Sequence, residues 1–269
     1  MDTPTVCPVA RPPDDEPLSP GTHSFRLGGI VQRYHVHGSG PVCVAHPGGP
    51  GLFWDYLRVP TLETHLTMVY VEPIGTGESG RLPSHPHGYT RDRYSHFLQV
   101  LINRLRCSPV YLLGHAHGAL VAAHHALHRS ESLAGVILYD PEPSSGRADR
   151  APTPPVGDSG ADDGGRSPAM AGVHHRAAYI SELDENLCRT TGVDRSDLAR
   201  VDVRTLVISG RDDPVRGPAR GRGLHEVIPG ARLSVLEHDG WMGHVREPEG
   251  FTHAVREFVL DAEACGPAR

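Results

Sequence analysis

Apolar and polar positions alternate along this chain first with the period of a strand and then with that of a helix. From His23, "HSFRLGG" and "IVQRYHVHG" read as two short strands joined at a Gly-Gly turn. "PVCVAHPGGPG" is an apolar strand running into a Gly/Pro turn. "TMVYVEPIGTGESG" repeats that scheme, with an unbroken apolar run of the kind a strand buried on both faces shows. In "YTRDRYSHFLQVLINRLR", Tyr94, Phe97, Leu98, Leu101, Ile102 and Leu105 fall on one helical face. "PVYLLG" is the next buried strand, Ala119 to His128 the next helix, and "LAGVILYD" the strand after it. Further along come the strands "VRTLVISGRDD" and "ARLSVLEHDG" and a last helix around "FTHAVREFVLDA". The alternation predicts an α/β fold: a mostly parallel sheet with helices on both faces, whose ligands sit beyond the carboxyl ends of the strands.

One stretch breaks the pattern. "PEPSSGRADRAPTPPVGDSGADDGGRSP" has almost no apolar content, too little to offset the entropy of ordering, so residues 141–167 are expected to be mobile. Helical material follows in "AMAGVHHRAAYISELDENLCRTTGV". The division expected is a tail over 1–22, a core over 23–140 and 201–262, an inserted short cap over 141–200, and a tail over 263–269. No internal repeat is visible.

Composition narrows the field. At 269 residues the chain suits one main domain, long enough to bury a sizeable core. The net charge of −6 and the scattered arginines, with no lysine anywhere, give no positive stripe for nucleic acid. Five cysteines, widely spaced and without a C-x-x-C pair, fit a reducing cytoplasm and neither zinc nor redox work. The Pro-rich, acidic start is expected to be neither a signal peptide nor an anchor, and no run approaches the roughly 20 apolar residues that span a bilayer. A small-molecule substrate is the partner expected, with no cofactor and no membrane; the oligomeric state is left open.

Three strand ends carry the chemistry, in the order "GHAHG", "GRDDP", "GHVREP". A nucleophile, an acid and a histidine follow in that order when each sits on a loop after a strand of an α/β hydrolase. The positions are Ala116, Asp213 and His244. Gly114 and Gly118 flank the first because a nucleophile elbow is sharply bent and leaves no room for a β-carbon. Asp213, three residues after Gly210, is favoured over Asp212. A helix N-cap is the other use for such an Asp, and a solvated loop residue the other reading of His244.

With these residues in view, the chain resembles the α/β-hydrolase superfamily, and within it the proline iminopeptidase-like branch. "PGGPG" resembles that branch's H-G-G-P-G, "EPIGTGES" its D-x-x-G-x-G-x-S loop, and "GHVREPEGF" its ending. The resemblance runs from about His23 to Ala262 apart from the insert, and implies the α/β-hydrolase fold. It also implies an oxyanion hole from the backbone N–H groups of Gly48, Gly49 and His117. With Asp213 favouring the imidazolium, the pKa of His244 is expected above its ordinary value of about 6.5. Pro47 stands where the branch has His, and Glu72 where it has Asp. The short, Gly-rich cap gives no ground for carrying over specificity for an amino-terminal proline.

The largest departure is Ala116, whose methyl group cannot attack anything. Three accounts are open: a knockout of a serine hydrolase acting on an ester or amide; natural chemistry in which His244, oriented by Asp213, works as a base without a covalent step; or a non-catalytic binding protein on a hydrolase fold. The pairs His35/His37, His85/His87 and His115/His117 could chelate a metal only with a third ligand, so no metal is expected. His124 and His125 belong to a helix surface or its packing, and His174 and His175 have no assigned role.

Overall fold

A computed structural model describes residues 16–48, 53–141, 195–211, 219–237 and 242–265 of the chain. Eight strands, β1 (Gly21–Leu27), β2 (Ile30–Gly38), β3 (Val42–His46), β4 (Thr67–Glu72), β5 (Val110–His115), β6 (Leu133–Tyr139), β7 (Thr205–Gly210) and β8 (Arg232–Leu236), form one sheet in the order β1-β2-β4-β3-β5-β6-β7-β8. β1 and β2 are antiparallel, as are β2 and β4, and every other pair is parallel. The expected edge hairpin is there, with Leu27 opposite Ile30. Its two-residue turn uses Gly28 and Gly29 at φ 56° and 84°, the left-handed angles a tight hairpin needs.

Among the described residues the helices are α1 (Pro60–Glu63), α2 (Arg91–Leu105), α3 (His117–His128), α4 (Arg195–Leu198), α5 (Ala219–Val227), α6 (Gly243–Arg246) and α7 (Pro248–Cys265), with 3-10 turns at Trp54–Leu57 and Ser130–Ser132. α2 starts where the Thr90 hydroxyl accepts from the Arg93 N–H at 3.2 Å and stops where Arg106 turns left-handed at φ 57°. Its six predicted apolar positions are all buried.

Strand alternation splits the core in two. Val44, Leu112 and Val136 pack under α2 and α3 on one face; Cys43, Ala45, Leu113 and Ile137 pack against α7 and the Tyr56–Leu57 turn on the other. His115 and Tyr139, partners across the β5–β6 register, continue this second series. Among the described residues no helix is long and apolar enough to cross a membrane. Residues 142–194, most of the expected cap, lie outside the described residues, so the mobility expected of 141–167 does too apart from Pro141.

Candidate active site

β5 delivers His115 to the carboxyl end of the sheet, and α3 begins two residues later, at His117 rather than the Ala119 expected. Ala116 makes the whole change of direction at φ 49° and ψ −114°. That backbone is rarely adopted by a residue with a β-carbon and costs on the order of 1 to 3 kcal/mol. Ala116 is buried, and its N–H donates to the Tyr139 carbonyl at 2.9 Å. The flanking glycines are sterically required: a β-carbon on Gly114 would overlap the Gly118 carbonyl, and one on Gly118 would overlap the carbonyl oxygens of His46 and Pro47. Gly118→Ala is therefore expected to cost about 3 kcal/mol or more, read as a lowered urea midpoint. An unchanged midpoint would mean that the β3 and α3 backbones can part freely.

His244, in α6, lies buried against Tyr139, Tyr56, His115 and Phe251. Its Nε2 is 2.7 Å from the Tyr56 carbonyl, which can only accept, so Nε2 carries a hydrogen. Nδ1 is then the lone pair of the neutral ring, and it accepts from the Tyr139 hydroxyl at 3.0 Å; that same hydroxyl takes the His244 N–H at 3.2 Å. Burial pushes the imidazole down to about 4, against a smaller upward pull from the Tyr56 carbonyl. The upward shift expected from Asp213 is thus corrected. The two hydrogen-bond partners the ring has among the described residues are uncharged, and desolvation of the imidazolium outweighs what they return.

Gly48 is equally engaged. Its N–H donates to the Tyr56 hydroxyl at 2.7 Å, and that hydroxyl lies 2.6 Å from His115 Nδ1. Gly48 can only donate, so the Tyr56 oxygen accepts there, while the hydrogen of the short contact to His115 Nδ1 lies on the phenol in one imidazole tautomer and on the ring in the other. Tyr56 thus binds a predicted oxyanion donor with its side chain and the predicted base with its backbone. The His117 side chain is buried beside Tyr94, with no hydrogen-bond partner on Nε2. Burial, then the nearby His46 and Arg91, push it down to about 3. Gly49, Asp212 and Asp213 lie outside the described residues. Ala116, Gly48, His117 and His244 are thus gathered at the ends of β3, β5 and β6. Tyr139 ties Ala116 to His244, and Tyr56 ties His244 to Gly48.

Glu72 has a supporting place. Its carboxylate accepts from the backbone N–H groups of Glu78 and Ser79 and from His35 Nε2, closing the Gly-rich loop after β4. Burial works against the charge, yet these hydrogen bonds hold its pKa below the usual value. His35 also meets Thr22 and stacks on Trp54. His85 pairs with Tyr89, His124 with Asp92, and buried His125 with Ser95 and Ser132. Among the described residues no group of three or more His, Cys, Asp or Glu could hold a metal ion.

Tyr56 and Tyr139 were not singled out from the sequence. "FWDYL" carries no motif, and Tyr139 sits inside an apolar strand run; the signal lies in the β5–β6 register, which sets Tyr139 beside His115.

An eight-stranded, mostly parallel sheet with its candidate site at the carboxyl ends of the central strands is the α/β-hydrolase fold. Residues 41–156 match a family described as alpha/beta hydrolase fold. Over 259 residues the chain is 28% identical to a Pseudomonas syringae pv. syringae (strain B728a) protein provisionally named carbamate hydrolase RutD, covering 86% of this chain and 98% of that one. It is 26% identical over 269 residues to the 2-hydroxy-6-oxo-2,4-heptadienoate hydrolase of Pseudomonas putida F1, covering 86% and 94%. Among solved structures, a hydrolase from Pseudomonas aeruginosa PA01 superposes with a TM-score of 0.72 at 21% identity, covering 88% of this chain and 98% of that one. The fold of this chain is thus the α/β-hydrolase fold, and the named relatives that it resembles are hydrolases.

Proposed function

We propose that this protein acts on a small organic carbonyl compound, an ester, amide, carbamate or ketone, in a site that works without a covalent nucleophile. The observation that carries the reading is the backbone of Ala116, φ 49° and ψ −114°, together with its two obligatory glycines. Such strain persists where the surroundings impose it, and here the imposed shape is that of a nucleophile elbow. Ala116 removes the acyl-enzyme route and leaves a base, His244, neutral at pH 7, and N–H donors at Gly48, Gly49 and His117. Asp213 is assigned to orient His244 during turnover. The substrate class is supported by the names of the two relatives, one for a carbamate and one for a ketone. The branch-level likeness to proline iminopeptidases adds no specificity, and the five scattered cysteines favour the cytoplasm as the place of action. A serine parent from which Ala116 derives by substitution would fit the same geometry.

A second reading, a non-catalytic receptor, is favoured by one feature: the Gly48 N–H and both ring nitrogens of His244 already have partners inside the protein. The test offers the protein p-nitrophenyl acetate, a p-nitrophenyl carbamate and 2-hydroxy-6-oxo-2,4-heptadienoate. Conversion of at least one is expected, and His244→Ala should slow it on the order of 10² to 10⁴ with binding nearly intact, since a general base contributes rate rather than ground-state affinity. Binding without conversion in either protein would leave the receptor.

A further inference from the structure

We propose that Tyr56 and His115 are the proton-transfer couple of this site, with Tyr56 the residue that meets the substrate and an enolisable ketone the substrate class. This rests on the non-covalent reading above and, for enolisable ketones, moves the base from His244 to Tyr56, with His244 bracing Tyr56 through its carbonyl.

The elbow has no hydroxyl, but one stands beside it. The Tyr56 oxygen is 2.6 Å from His115 Nδ1 and 2.7 Å from the Gly48 nitrogen, and Tyr56 and His115 are both buried. Those two neighbours are what a hydroxyl needs to become a base: an imidazole that, in the tautomer with Nδ1 unprotonated, takes its hydrogen, and a backbone N–H to meet the negative charge left on oxygen. A donor at 2.7 Å is where an oxyanion would be held, and here the oxygen it holds belongs to the protein. Tyr139 has the same two kinds of neighbour, but its contacts with His244 are longer, 3.0 Å to Nδ1 and 3.2 Å from the backbone N–H, against 2.6 and 2.7 Å at Tyr56. Tyr70 and Tyr111 donate to the carboxylates of Glu63 and Glu263, which hold a phenol proton in place rather than relay it. Tyr56 is also braced: its carbonyl takes the His244 Nε2–H, and its ring lies 5.5 Å from that of His115.

The step balances without a co-reactant. The Tyr56 O–H hydrogen passes to His115 Nδ1, leaving a phenolate on the Gly48 N–H. The phenolate oxygen takes a proton from the carbon next to the substrate's carbonyl, and the C–H electron pair becomes that of the enolate. His115 gives its proton to the enolate oxygen, and both residues return to their starting state. A phenol, with an ordinary pKa of about 10, is matched to carbon acids activated by conjugation or by a second carbonyl rather than to simple esters.

The probe is phenylpyruvate in deuterated water, with loss of its benzylic hydrogen signal followed by proton NMR. Exchange above buffer is expected. Tyr56→Phe and His115→Asn should each lower kcat at least about 100-fold with KM within about threefold, because each variant keeps the ring volume or the hydrogen-bonding shape but cannot relay the proton. Exchange that persists in either folded variant overturns the couple and leaves His244 as the base. No exchange by the parent protein overturns it too, and the hydrolysis panel above then shows separately whether the broader reading stands. One check needs no variant: the imidazole nitrogen spectrum of the native protein at pH 7 should show His115 with an unprotonated, hydrogen-bonded Nδ1. A protonated Nδ1 overturns the direction of transfer.

Discussion

Lowering the pH from 7.5 to 5.5 is expected to drop the melting temperature of this protein by at least about 10 °C, well before its carboxylates begin to protonate. The cause is four buried imidazoles. Desolvation pushes His46, His125 and His244 down to about 4 and His117 to about 3, from the unperturbed 6.5. A group whose folded pKa is depressed binds its proton more readily in the unfolded chain. For a histidine this makes stability complete above about 6.5 and progressively lost as pH falls toward 4. Near pH 5.5 the unfolded chain holds close to four protons that the native state refuses, a slope of about 5 kcal/mol per pH unit at 1.36 kcal/mol per proton. Domains are stable by about 5 to 15 kcal/mol, so even half that slope unfolds the protein within a few pH units. At about 2 to 4 °C per kcal/mol, the melting temperature records it readily. His125 supplies an internal check, because it bridges Ser95 and Ser132 away from the site. His125→Gln should flatten the pH dependence by about one proton. A melting temperature that is level between pH 7.5 and 5.5 would mean that these rings are charged or solvated in the native state.

The same histidines show which parts of the structure the sequence could and could not disclose. Strand and helix periodicity was legible because burial acts on one residue at a time: the face of α2 from Tyr94 to Leu105 and the apolar runs of β4, β5 and β6 are buried as the pattern requires. Gly114 and Gly118 were legible for a related reason, since the spacing of two glycines around one residue encodes a backbone shape. The hydrogen-bond network was not. Tyr56 and His244 are separated by 188 positions, and Tyr139 and His244 by 105, so their meeting depends on strand order and register rather than on local pattern. The sign of the His244 shift could not be read either. It turns on how completely α6 and α7 bury the ring, whereas the sequence displays only an acid at the expected spacing.

Ala116→Ser is the change expected to produce the largest gain, hydrolysis of p-nitrophenyl acetate on the order of 10² above the parent protein. The substitution asks little of the fold, because the strain at φ 49° is already borne by a residue with a β-carbon and one oxygen is the sole addition. Removing the nucleophile from a working serine hydrolase costs on the order of 10⁶, so full restoration would return far more than 10². Two features hold the gain down. The Gly48 N–H must leave the Tyr56 hydroxyl to reach a substrate oxygen. His244 must also present a lone pair where Nε2 now carries a hydrogen directed at the Tyr56 carbonyl, which requires the proton to move to Nδ1, now facing Tyr139. Both adjustments exchange one hydrogen bond for another, each worth about 1 kcal/mol net, so they slow the reaction without forbidding it. An acyl adduct located by mass spectrometry on the introduced hydroxyl, with a burst of p-nitrophenol equal to the enzyme concentration, would show that the elbow, the base and the oxyanion donors still converge. A folded variant with neither burst nor acyl adduct would show that Tyr56 and Tyr139 have closed the hydrolytic geometry, and that Ala116 is part of a site rebuilt around the tyrosines.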